Sequence, residues 1–234
     1  KKFTILLARQ AKFLSQRAIK ASVGLPRFEA LLGLIYAGCY LKNMEKFIEP
    51  ATIALAHECR HLNNTDEIVL SRNPQEILNI FTILIWAKLA LKDSNWNPSA
   101  THLDTIEILA PILRHLRHSD AGLPRFHGSC GDVDGQLDQA LSHAENREIF
   151  RNELSVGFAR LSNSRTTIII DAAPPPIGEP SFIADASTLA FEMVSGQRRI
   201  FTSCGPGYLF GSDFSSVSRQ TRSHCAVYLA VSYT

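Results

Sequence analysis

SFIADASTLAFEMVSGQRRIFTSCGPG, residues 181–207, is the stretch whose reading decides the fold. Within it Leu189, Phe191 and Met193 alternate with Ala190, Glu192 and Val194, the period-two pattern of a half-buried strand. Ser195-Gly196-Gln197 then turns the chain into a second strand from Arg198 to Ser203, so the stretch predicts a β-hairpin with a glycine-rich exit.

Working outward, residues 156–161 and 165–171 flank Ser162-Asn163-Ser164 as a second predicted hairpin. The four prolines between Ala172 and Pro180 demand a loop or polyproline segment. Downstream, Cys225, Val227, Leu229 and Val231 alternate with Ala226, Tyr228 and Ala230 as a last strand. Period-two patterning throughout 119–234, with a short helix over 136–143, reads as the first part of a β-sandwich.

Residues 1–118 carry a different period. Phe28, Leu31, Leu32, Ile35 and Cys39 form one helical stripe, with Pro26 in the first turn. Further helices are expected over 44–62, 74–91 and 98–118, where Pro111 should kink or split the last. Helices of this length joined by short polar links suit a bundle or a helical toroid. The expected fold class is thus α plus β and multidomain: an all-α, toroid-like domain over 1–118, then an antiparallel sandwich over 119–234.

Composition excludes several classes. The 234 residues are 45% hydrophobic and 20% charged, which is ordinary for a globular chain. A net charge of +2 without a basic run gives no footprint for nucleic acid. The most apolar stretch, 77–91, is broken by Asn79, Thr82 and Lys88 and is shorter than the roughly 20 residues that cross a bilayer, so it predicts a buried helix and no transmembrane segment. Five scattered cysteines make no C-x-x-C pair and read mostly as small buried hydrophobes. A start without Met and an end in a strand-like run lead us to expect a longer parent chain.

Three patterns suggest metals. His57-Glu58-Cys59-Arg60-His61 fits H-E-x-x-H, in which two imidazoles one turn apart bind zinc and the glutamate serves as base. Arg60 between the ligands, the helix end at Asn63-Asn64 and the lack of a third ligand favour a solvated helix end instead. Asp132-Val133-Asp134-Gly135 resembles the start of a calcium loop but lacks its later carboxylates, and reads as a turn. His127 and Cys130 with His224 and Cys225 have the right donor types but no helpful spacing. The expectation is no metal and no cofactor.

Taken with GFARLSNSRTTIIIDAAPPP (157–176) before it and SRQTRSHCAVYL (218–229) after it, the central stretch resembles the start of the β-sheet domain of heparinase II/III-like polysaccharide lyases. Thr221-Arg222-Ser223-His224 is similar to that family's Thr-x-x-His, and Gly205 to Phe210 to its glycine-rich turn. The family's Arg-Ser-Pro segment, followed at the second and third positions by Tyr and His, is matched here by Arg72 and Pro74 but followed by Glu76 and Ile77. The His-x-His-x-Asp ahead of its Leu-Ser-Phe-Glu strand falls on Ile183, Asp185 and Ser187. The resemblance therefore implies a subgroup with a remodelled site.

What the resemblance implies for function is β-elimination on an acidic, uronate-containing polysaccharide in the periplasm or cell envelope. That chemistry needs the uronate carboxylate neutralised, a base for the C5 proton and an acid for the O4 leaving group. On this reading Arg72, Asn73 and His224 are the catalytic candidates, and Glu76 and His127 the substrate-binding ones. The alternative is a non-catalytic carbohydrate-binding or structural remnant of the fold.

Overall fold

The computed structural model describes residues 2–64, 71–131, 135–148 and 154–227. Its contacts divide the chain into two compact units, one of Lys1–Thr65 with Asn79–Leu109, the other of Asp66–Leu78 with Ala110–Thr234.

The first unit is helical. It holds α1 (Lys2–Ser15), α2 (Leu25–Tyr40), α3 (Ile48–Asn64) and most of α4 (Pro74–Asp93) and α5 (Ala100–Leu116). The stripe read from the sequence is the buried one: Phe28, Leu31, Leu32 and Ile35 lie inside, and Pro26 stands in the first turn of α2. Helix α4 is long and apolar enough to cross a membrane, yet two thirds of its apolar window is buried, with Phe81, Leu84, Ala87 and Leu91 all inside. Helix α5 is not split at Pro111. A proline removes one N–H and crowds one carbonyl, and the buried Leu109, Ala110, Ile112, Leu113 and Leu116 around it hold the helix together across that defect.

The second unit carries the sheet. Strands β1 (Phe158–Asn163), β2 (Thr166–Asp171), β3 (Phe191–Ser195) and β4 (Arg198–Phe201) form one antiparallel meander in the order β1-β2-β3-β4. Both expected hairpins are present. The first turns later than expected, because Ser162 and Asn163 pair with Thr167 and Thr166, and Ser164 at φ 53° makes the turn. Short helices α6 (Gln136–Leu141) and α7 (Ser212–Val217) complete the unit, the latter without any helical signal in the sequence. In the expected last strand, residues 225–227 are not extended in a ladder, and 228–231 lie outside the described residues, as do Asp132, Val133 and Asp134 of the supposed turn.

Which face of the sheet is buried matters most for the site. Thr167, Ile169 and Asp171 of β2 and Ala190, Glu192 and Val194 at β3 are all buried. The bulky alternates Ile168, Ile170, Phe191 and Met193 are only half-buried on the other face, and Leu189 is 68% exposed. The inner face therefore carries two carboxylates, one ending β2 and one within β3.

Candidate polar site on the inner face of the sheet

Asp171 is the hub. A carboxylate buried this deeply is tolerated only when its oxygens are hydrogen-bonded and its charge is matched. Its Oδ1 pairs with the Arg72 guanidinium, and its Oδ2 accepts from Ser187 Oγ at 2.6 Å. Burial alone would raise its pKa; the contacts with His127, Ser187 and Arg72 outweigh that and hold it below the ordinary carboxylate range.

Arg72 sits at φ 48°, is buried, and uses all five of its N–H groups inside the fold. Nε donates to Val156 O, Nη1 to Ala173 O and Pro174 O, and Nη2 to Gly157 O and Asp171. Its Cζ lies over the Phe158 ring, 4.7 Å from the centroid. Gly157 makes the approach possible: at φ 82° it favours glycine, and a Cβ there would meet Arg72 Nε at 2.7 Å.

His127 and Asp185 bind each other reciprocally. The His127 N–H donates to Asp185 Oδ2, and the Asp185 N–H donates to His127 Nδ1 at 3.2 Å. An accepting Nδ1 places the ring proton on Nε2, which faces Asp171 Oδ2 at 3.2 Å in a close but poorly aligned approach. Burial pushes the Asp185 carboxyl up to about 6, against the pull of His127 and Arg219.

Glu192 is the second buried carboxylate. Its Oε1 accepts from the N–H groups of Arg125 and Ser203, and its Oε2 lies 3.6 Å from His118 Nε2. His118 Nδ1 meets Thr167 Oγ1 at 3.0 Å. Nearby, His224 tilts against Phe126 with ring centroids 6.4 Å apart, and Phe126 in turn stacks on Phe158 at 5.8 Å. Neither His224 nitrogen makes a well-directed hydrogen bond among the described residues, although the Ser218 backbone exerts a weak upward pull. Burial first, and then the nearby His127, push His224 down to about 4, so it is neutral at ordinary pH.

Of the residues singled out from the sequence, Arg72 and His127 converge on Asp171, and His224 lies within electrostatic reach of His127, Asp171 and Glu192. Asn73 is the N-cap of α4, its Oδ1 accepting from the N–H groups of Gln75 and Glu76. Glu76 sits half-buried in that first turn. Arg72 turns away from it, inward to Asp171. Asp171 itself was missed; its signal was an acid closing the alternating apolar run TTIIID.

The H-E-x-x-H segment lies in the other unit. His57 and His61 have ring centroids 5.3 Å apart, but the His57 side chain is 60% exposed and Glu58 binds Arg27 at 3.1 Å. Among the described residues no three His, Cys, Asp or Glu side chains are grouped to hold a metal. Only Cys59 is a fully buried cysteine, pushed up to about 12 by burial; Cys39, Cys130 and Cys225 are half-exposed and Cys204 is exposed, contrary to expectation.

The sequence profile of the family described as heparinase II/III-like, C-terminal, matches residues 147–230, the span of the sheet and its polar inner face. In this region the chain is heparinase II/III-like. Solved structures share the fold over nearly its whole length. A heparinase III structure superposes with a TM-score of 0.72 at 14% identity, covering 95% of this chain and 41% of that one. Heparan sulfate lyase HepC from Pedobacter heparinus gives 0.65 at 19% identity, covering 92% and 38%. FtsZ-localized protein C of Caulobacter vibrioides is 28% identical over 203 residues, 85% of this chain but only 34% of that protein. The chain thus spans about a third of the length of that relative.

Proposed function

We propose that this chain is a non-catalytic heparinase II/III-like module, one that binds an acidic polysaccharide without eliminating across its uronate. The observation that carries this reading is the saturation of Arg72. Neutralising a substrate carboxylate requires N–H groups pointing at it, and every one of Arg72's is directed to Asp171 or a backbone carbonyl. The positions of the family's His-x-His-x-Asp support it too, since Asp185 and Ser187 are bound to His127 and Asp171. Similarity to a protein named for its localisation with FtsZ favours a place of action beside FtsZ.

A working lyase is the second reading, favoured by one observation: the His224 imidazole is neutral and lacks a firm hydrogen-bond partner, as a proton-transferring base requires. The deciding experiment presents full-length protein with a panel of uronate-containing polysaccharides and follows the ultraviolet absorbance of the unsaturated product. Binding without product is expected. Sustained product formation, abolished by His224→Ala with folding intact, would replace this reading with the lyase.

A further inference from the structure

Residues 172–190, which connect β2 to β3, lie as a strap over Asp171 and His127 and are tied down at three places. Ser187 Oγ and the Leu189 N–H bond Asp171, Asp185 and His127 bond each other, and Arg219 donates to Ser181 O and Ala184 O while its own carbonyl accepts from the Ala186 N–H. We propose that this strap is a proton-controlled latch, with the Asp185–His127 pair as its catch, which holds in mild acid and loosens towards neutral pH.

The geometry supplies the device. Asp185 is buried, and the titratable and charged groups facing it are few, His127 and Arg219, with the backbone N–H groups of His127 and Gly128 pointing at its carboxyl. Behind His127 stand Asp171, already matched by Arg72, and His224, with Glu192 and its neighbour His118 beyond. A neutral Asp185 still accepts both backbone hydrogen bonds through a carbonyl oxygen, whereas an ionised one keeps its charge in poorly solvated surroundings. The released strap returns that carboxylate to water.

The sign follows from where the proton is held more tightly. Burial raises Asp185 to about 6 in the latched state, well above a solvated aspartate, so proton binding favours the latch. The stabilisation is complete below the solvated value and is lost as pH rises through about 6. His224, pushed down to about 4, acts in the opposite sense on overall stability, because its charging in acid weakens the interior. Overall unfolding therefore mixes the two, and the test must be local to the strap.

Hydrogen exchange of the full-length protein between pH 5 and pH 7.5, corrected for the intrinsic pH dependence of amide exchange, reads the Ala186 and Leu189 amides directly. Their protection is expected to fall about 10-fold over that range, while α4 amides stay unchanged, and Asp185→Asn is expected to hold the strap protected at both ends. A flat profile in the wild-type chain, or the same fall in Asp185→Asn, would overturn the latch. Should that variant not fold, carbon NMR titration of the wild-type Asp185 carboxyl decides. A midpoint coinciding with the loss of protection supports the latch, and one more than about a pH unit away removes it.

Discussion

His57 and His61 stand one turn apart near the end of α3, joined by sequence spacing alone. His127 and His224 come from distant parts of the chain and meet in the interior of the sheet unit, with Asp171 and Glu192 in reach. The first pair has the familiar spacing and an exposed setting, and its glutamate is held by Arg27. The second has no recognisable spacing, yet each of its members is buried and electrically coupled to a carboxylate. The lesson is that burial with charge, more than residue type at a set interval, marks where this molecule concentrates its electrostatics.

The largest expected effect tests whether the inner-face network holds the sheet unit together. Arg72→Ala strands Asp171 as a buried charge and leaves four carbonyls without their donor; breaking such a pair costs about 3–5 kcal/mol, read as a large drop in the denaturant midpoint. A loss under about 1 kcal/mol would mean the network is incidental. Gly157→Ala follows, expected to cost about 1–3 kcal/mol by forcing a side chain into a positive-φ site against Arg72 and Ala173.

Next in size is the pH dependence. With the His224 pKa depressed to about 4, its contribution is present above the unfolded value of about 6.5 and is lost as pH falls towards 4. Asp185 works the other way over an overlapping range. His224→Phe should therefore flatten the acid side of the stability curve, and Asp185→Asn should steepen it, as followed by thermal unfolding at a series of pH values. Parallel curves for the two variants would contradict the assignment. At the other histidine pair, His57→Ala is expected to change stability by no more than about 0.5 kcal/mol, as for an exposed side chain with weak contacts to Glu58 and His61. A loss several times larger, or bound zinc that disappears with the substitution, would reverse the contrast between the pairs.

Much of the architecture was legible in the sequence because it rests on period. The stripe from Phe28 to Ile35 and the alternation from Ala190 to Val194 name their elements without help. The polar network was not legible, for a physical reason. Alternation states that one face of β3 differs from the other; here the buried face is the one with Glu192, because Arg125, Ser203 and His118 arrive from elsewhere to satisfy it. Arg72 was singled out as a catalytic candidate that would face a ligand's carboxylate. Its inward turn depends on Asp171, ninety-nine residues on, and on the opening left by Gly157. Such long-range pairings leave no local pattern.

The central claim is that Arg72 belongs to the fold and is not available to a ligand's carboxylate. Nitrogen NMR of arginine side chains in the full-length protein tests it most directly, with a uronate oligosaccharide added to saturation. The account predicts a slowly exchanging Arg72 Nε–H whose resonance stays in place when the oligosaccharide binds. Rapid exchange with water, or a large shift of that resonance on binding, would show an arginine open to substrate and contradict the account.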